Sequence, residues 1–255
     1  MIDVLDASVD EVLRACDRAA GVRSGEGAGL LVDDLDRAAS TRKRRPADAR
    51  RTLAGRAALR LVTAARLGLD VASAASIPVD RACERCSVPH GRPRVAGLSA
   101  SSSSSYDRVL VAVADSAVSV GVDVERIPEH LFSGFDDVAL HPHERDTLPP
   151  TPVGIAARIG RWVEKEAVLK SVGIGLGSPM DALRVAPPPR DVSTVGGVVV
   201  DPPQWRHVSE AGTPGLVGLA VTALPAPRGY RSALAAREPQ RVRLLDLDAL
   251  VPHQR

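Results

Sequence analysis

Two periods of apolar residues alternate along the chain. Leu53, Ala57, Leu61 and Ala64 recur at helical spacing inside Leu30–Leu69, a stretch that reads as mostly helical. Asp48 is a candidate N-cap there and Gly68 a candidate stop. A second helix is predicted from about Ile155 to Val172, where Ile155, Ile159, Trp162, Val163 and Ala167 give one buried face. Gly173, Gly175 and Gly177 end it. Between the helices, Val109–Val113 and Val118–Val124 read as strands, with Pro128 breaking the second. Residues 128–153 read as loops, Leu216–Leu224 as a late strand, and Val4–Ala20 as a short helix or edge segment. The two helices can be laid over each other: Gly55-Arg56 leads to Gly68, and 105 residues on Gly160-Arg161 leads to Gly173. That fits an internal duplication, or two unrelated helices that both end in glycine.

Length and composition narrow the class. A chain of 255 residues allows one large domain or two small ones. Aromatics make up 2%, so the core must be built from Ala, Val and Leu. No apolar run approaches the roughly 18 residues of a membrane helix. The acidic start Met1-Ile2-Asp3-Val4-Leu5-Asp6 lacks the basic opening of a secretory signal. Three cysteines, an odd number, do not make a disulfide framework. These features point to a cytoplasmic protein with no membrane partner. The net charge of +2 does not by itself argue for nucleic acid.

Only three of the 33 basic residues are lysines, and two of them, Lys165 and Lys170, lie in Trp162-Val163-Glu164-Lys165-Glu166-Ala167-Val168-Leu169-Lys170. A compact ammonium kept there suggests chemistry that a planar guanidinium would not serve. On a helix, Trp162, Glu166 and Lys170 share a face. Upstream, Val120-Gly121-Val122-Asp123-Val124-Glu125 alternates as a strand, which sets Asp123 and Glu125 side by side on the face opposite the valines. Adjacent carboxylates repel unless a cation or a shared proton offsets them, and hard oxygen pairs suit Mg²⁺. Taken singly, the strand also reads as a solvated acidic face, and the helix as a surface Glu–Lys pair beneath a core tryptophan. Together, the carboxylates of Asp123, Glu125 and Glu166 and the ammonium groups of Lys165 and Lys170 are enough for a metal-assisted phosphate site.

These two segments resemble the signature motifs of the 4′-phosphopantetheinyl transferases, and their 41-residue separation resembles the larger, monomeric type that serves surfactin-like peptide synthetases. Arg50-Arg51-Thr52-Leu53-Ala54-Gly55 resembles that type's helix near coenzyme A, and His90-Gly91-Arg92-Pro93 its Gly-Lys-Pro loop. The resemblance implies an α+β fold made of a pseudo-twofold pair of similar halves with the site between them. Residues 1–118 would form the coenzyme A half, 119–225 the half with the metal motifs, and 226–255 a peripheral Arg-rich tail. It implies transfer of the phosphopantetheine arm of coenzyme A to a serine of an apo acyl or peptidyl carrier protein, with release of adenosine 3′,5′-bisphosphate. Asp123, Glu125 and Glu166 would hold Mg²⁺, or Mn²⁺. Glu166 and Lys170 would be catalytic, one helping to deprotonate the serine and the other offsetting phosphate charge. Arg51, Thr52, Arg92, Ser99, Lys165 and Lys170 would bind coenzyme A as co-substrate.

One departure bears on activity. The family's Leu-Ser-His-Ser segment here reads Leu98-Ser99-Ala100-Ser101, so Ala100 replaces a histidine that contributes to phosphate binding. The run to Ser105 also reads as a low-complexity loop. A relative that binds coenzyme A or a carrier protein without turnover is the alternative this supports. A nucleic-acid binder using Arg37–Arg51 would leave the three carboxylates unexplained and lacks stacking aromatics. Cys83, Cys86 and His90 offer three zinc-type ligands, with Cys16 a fourth only by folding back, so they read as a reduced loop. His141 and His143 flank a proline and read as surface residues.

Overall fold

The computed structural model describes residues 1–83, 88, 91–145, 148–149, 151–187 and 204–252. In chain order its elements are β1 (Ile2–Ser8), α1 (Val9–Ala20), α2 (Gly27–Leu30), α3 (Asp34–Thr41), α4 (Pro46–Leu67), β2 (Arg94–Val95), β3 (Leu98–Ser105), β4 (Arg108–Asp115), β5 (Val120–Arg126), α5 (Phe135–Ala139), α6 (Pro142–Arg145), α7 (Pro152–Val172), β6 (Arg184–Val185), β7 (Arg206–Glu210), β8 (Ala220–Leu224), β9 (Tyr230–Ala236), β10 (Val242–Leu244) and α8 (Leu247–Leu250). Helices and two separate sheets make the fold α+β. The chain divides into two compact units, Met1–Val118 with Val242–Arg255, and Ser119–Arg241. Among the described residues no helix is long and apolar enough to cross a membrane.

The first unit holds a sheet of order β10-β1-β4-β3-β2. β10 runs parallel to β1 and the other pairs are antiparallel. Ser8 turns the chain from β1 into α1 through a capping box: its hydroxyl accepts from the Glu11 N–H, and the Glu11 carboxylate accepts from the Ser8 N–H. The apolar side of α4 supplies Ala54, Ala57, Ala58, Leu61, Val62 and Ala64 to a core shared with Leu5, Ala7, Val109, Val111 and Val113. α4 starts at Pro46 with Arg45 at the cap, so Asp48 is not the N-cap; it sits in the first turn, where a carboxylate favours the helix dipole. Gly68 ends α4 with φ 67°, as expected of a left-handed C-cap.

The fully buried Arg60 ties α4 to its surroundings. Its guanidinium donates to Asp33 and Asp36, and to the carbonyls of Ala74, Ala75 and Ile77. β3 corrects the loop reading of the serine run. Leu98–Ser105 pairs residue for residue with Arg108–Asp115, although six of its eight residues are serine. Serine is a poor strand former, but β4 is apolar throughout its interior and needs a partner on that edge.

The second unit holds an antiparallel sheet of order β5-β9-β8-β7-β6. α7 packs Ile159, Val163, Ala167 and Leu169 into a core with Val208, Val221, Ala233 and Ala235. Thr151 caps α7 by accepting from the Gly154 N–H, Pro152 opens it, and Gly173 closes it with φ 81°. The segment from 226 on is not a peripheral tail. β9 is an interior strand between β5 and β8 with Ala233–Ala236 fully buried, and β10 adds an edge to the first unit's sheet. Alternation alone could not reveal β9, because a strand covered on both faces loses the period of two.

Candidate functional site

The site is built on β5 and α7 of the second unit. An added Cβ at Gly121 would lie 2.1 Å from the Ala167 carbonyl oxygen and 2.3 Å from the Ser171 nitrogen. Glycine there lets the strand backbone lie directly against the helix backbone. Gly121 thereby fixes the side of β5 that faces α7, and alternation puts Asp123 and Glu125 on that same side. Val120, Val122 and Val124 are buried on the other side, as the sequence pattern predicts.

Asp123 is 2% exposed, and its Oδ1 accepts from the Lys170 ammonium at 2.5 Å. Glu166, one turn before Lys170 on α7, is 8% exposed. Its carboxyl is held above the ordinary carboxylate range. Burial is the main cause; the nearby Lys170 ammonium pulls the other way, and the negative charges of Asp123 and Glu125 add to the rise. Asp123, Glu125, Glu166 and Lys170, predicted from two segments about 40 residues apart, are thus within electrostatic reach of each other. The donor set is all carboxylate oxygen, which suits a hard divalent cation, and such a cation would relieve the repulsion felt by Glu166.

Lys165, expected to bind coenzyme A, lies apart from the carboxylates in this structure. It is fully buried on another side of α7, and its ammonium donates to Glu144 Oε2 at 2.6 Å and to the carbonyls of Ala139 and Met180 at 2.8 and 3.1 Å. All three ammonium protons therefore have acceptors inside the protein. Burial lowers its pKa, and the Glu144 carboxylate opposes that shift. The motif contains two lysines, and only Lys170 faces the carboxylates.

The remaining predicted residues lie in the first unit, at two places. Arg92 donates to Ser99 Oγ at 3.0 Å and to the Ala100 carbonyl at 3.4 Å, so Arg92 and Ser99 are brought together. Burial, and the nearby Arg94, lower the Arg92 pKa. Arg51 pairs with Asp48 at 2.7 Å and donates to the Tyr106 carbonyl at 3.3 Å. Tyr106 follows the far end of β3, seven residues from Ser99, or ~23 Å along an extended strand. Thr52 is half-buried on α4 beside Arg51. Ala100 points into the apolar core of the unit and is 1% exposed. Cys86 and His90 lie outside the described residues, and Cys16 is buried, with burial pushing its thiol up to about 12.

Two further residues belong to this region and carry no motif. Glu144 holds Lys165, and Arg231 stands opposite Glu125 in the β5–β9 pair. The sequence offered no signal for either, since Glu144 reaches Lys165 across 21 residues and the place of Arg231 depends on the register of β9.

Residues 119–222 match the family model of the 4′-phosphopantetheinyl transferase superfamily. The match begins at the first residue of the second unit and takes in Asp123, Glu125, Glu166 and Lys170. It supports a place in that superfamily and phosphopantetheinyl transfer as the general chemistry. No curated protein matches the chain.

Proposed function

We propose that this protein transfers the 4′-phosphopantetheine arm of coenzyme A to a serine of an apo acyl or peptidyl carrier protein, as a monomer of the larger, surfactin-synthetase-activating type. The observation that carries this reading is the gathering of Asp123, Glu125 and Glu166 on one side of β5 and α7, with Lys170 among them, inside the segment that matches the superfamily. In the reaction the serine oxygen forms a bond to the phosphorus that carries the pantetheine arm. The bond from that phosphorus to the leaving phosphate breaks, and adenosine 3′,5′-bisphosphate departs.

Asp123, Glu125 and Glu166 would hold Mg²⁺, or Mn²⁺. The ion would supply charge neutralisation at the pyrophosphate. Glu166 takes the serine proton in this reading, directly or through a water. Lys170, held beside Asp123, offsets the negative charge that gathers on the phosphate oxygens. Arg92 with Ser99, and Arg51 with Thr52, are the coenzyme-binding groups of the first unit in this reading.

Intact-mass spectrometry tests it. An apo peptidyl carrier protein incubated with this protein, coenzyme A and Mg²⁺ should gain one phosphopantetheine. Chelation should abolish the gain, and Glu166→Gln should slow it by ~10²–10⁴, the range for loss of a general base. Ala100 favours a second reading, a relative that binds without turnover, because the position of the family's phosphate-binding histidine is here an apolar core residue. No mass gain on several carriers, with coenzyme A binding intact, would establish that second reading.

A further inference from the structure

A second cluster of metal-type donors lies elsewhere in the second unit. His141 and His143 flank Pro142 at the opening of α6, and Glu210 ends β7. One ligand atom from each lies within 4.8 Å of the others. His141 Nε2 is 3.5 Å from Glu210 Oε2, and His143 Nδ1 is 3.9 Å from Glu210 Oε1. The imidazole rings meet edge to face with centroids 5.1 Å apart. In a tetrahedral zinc site, with bonds of ~2.0–2.2 Å, ligand atoms sit ~3.4 Å apart. Both histidine–glutamate separations are already within about half an ångström of that value.

Two of the three donors are held in place. The His141 N–H donates to Glu144 Oε2 at 3.0 Å, and the same carboxylate oxygen holds the buried Lys165 of α7. Glu210 is fixed in the β6–β7 pair, opposite Arg184. The Arg184 guanidinium shows that the donors already converge on a positive charge. Its Nη1 lies 2.6 Å from Glu210 Oε1 and 3.3 Å from His143 Nδ1. The Arg184 side chain is 31% exposed, so it can swing to solvent. The His143 N–H approaches His141 Nδ1 at 3.3 Å; that long contact would give way if Nδ1 carried the proton and Nε2 turned to a metal.

We propose that His141, His143 and Glu210 form a binding site for a divalent transition cation of the Zn²⁺ class, with Arg184 as the resident cation it displaces. Two imidazoles and one carboxylate favour Zn²⁺, Ni²⁺, Cu²⁺ or Co²⁺ over Mg²⁺, so this site differs in chemistry from the all-carboxylate cluster on β5 and α7. Three protein ligands leave a coordination position for water or a fourth donor. The bound ion would staple α6 to the β6–β7 pair.

Visible absorption of Co²⁺ added to the full chain tests the site, with excess Mg²⁺ present to fill the carboxylate cluster. The expected result is a ligand-field band that saturates at one equivalent. His143→Ala and Glu210→Gln should each weaken it by at least the ~10–100-fold that loss of even an outer partner costs a metal site. Arg184→Ala should tighten it, because the competing cation is gone. Far-ultraviolet circular dichroism confirms that the variants are folded. Three results would overturn the proposal: no ligand-field band in the wild type, a band equally strong in His143→Ala and Glu210→Gln, or a near-ultraviolet thiolate charge-transfer band marking cysteine ligation instead.

Discussion

The two units use one chain order for different ends. Each runs strand, long helix, then an antiparallel meander whose last strand returns beside the first: β1, α4, β2-β3-β4 in one, and β5, α7, β6-β7-β8-β9 in the other. The helices agree at a spacing of 105 residues. Arg60 and Lys165 are both fully buried cations, and Gly68 and Gly173 are both left-handed caps. They part at the next position. Leu61 of α4 packs into an apolar core, whereas Glu166 of α7 joins the carboxylate cluster. The strands differ in the same way. β1 gives Leu5 and Ala7 to its core, whereas β5 turns Gly121, Asp123 and Glu125 toward its helix. The comparison separates frame from chemistry: the buried cations and glycine caps hold the frame in both units, and the helix-facing positions decide whether it encloses apolar side chains or charge.

The largest effect should come from removing the buried cations. Lys165→Met would leave the Glu144 carboxylate buried without its ammonium, and Arg60→Met would strip five acceptors of their donor. Breaking a buried pair from one side costs ~3–5 kcal/mol, and urea unfolding should show a loss of that size for each variant. The conservative swap sharpens the comparison. Arg60→Lys supplies three donors where five acceptors converge, so it should recover only part of the loss. If either methionine variant loses less than ~1 kcal/mol, the value of an exposed pair, the cation at that position does not anchor its helix.

A smaller loss is expected at the strand–helix approach that only the second unit uses. Gly121→Ala would put a methyl 2.1 Å from the Ala167 carbonyl oxygen, and backbone on both sides cannot give way without moving the helix. Overpacking of this kind costs ~1–3 kcal/mol. Because the same shift pushes Glu166 and Lys170 away from Asp123, transfer activity should fall further than stability alone explains. Kinetics measured well below the melting temperature would show this as a loss in kcat. An unchanged kcat would mean that the carboxylates tolerate a wider separation.

Much of this was readable in the sequence, for definable reasons. The ends of α4 and α7 were legible because left-handed glycine caps are local. Asp123, Glu125, Glu166 and Lys170 were legible because period two and period 3.6 each assign a face without knowledge of the partner. The surroundings of Lys165 are not legible, for the complementary reason. Its place in the motif says nothing about Glu144, which reaches it from α6, 21 residues upstream. β3 and β9 were missed because pairing, and not intrinsic preference, makes them strands: one is a serine run against an apolar neighbour, the other an alanine-rich segment between two strands. The separation of Arg51 from the Arg92–Ser99 contact needed the register of β3, which no local pattern encodes.

The smallest effect is a pH dependence at Glu166 that Leu61, at the matching position of α4, has no group to produce. Burial and the charges of Asp123 and Glu125 raise the Glu166 pKa in the folded chain, against the pull of Lys170. A raised carboxyl pKa means that the folded state binds this proton more tightly than the unfolded state does. Between the ordinary value of 4.5 and the raised value, stability therefore falls as pH increases, then levels off once Glu166 is ionised in both states. Other carboxylates work in both senses: Asp6, raised chiefly by burial, acts as Glu166 does, whereas Glu11, held down by its Ser8 contacts, adds stability as pH rises. The informative quantity is therefore the difference between wild type and Glu166→Gln, followed by thermal unfolding in chelator from pH 4 to pH 8. The variant should gain on the wild type as pH rises and end more stable at neutral pH, although its transfer is slowed. Added Mg²⁺ should then stabilise the wild type more than the variant, closing the gap. Leu61→Met, at the matching position of α4, should show no pH-dependent difference from the wild type. A Glu166→Gln difference that stays flat across that range would mean that Glu166 is not under electrostatic strain, and the contrast between the two helices would reduce to packing.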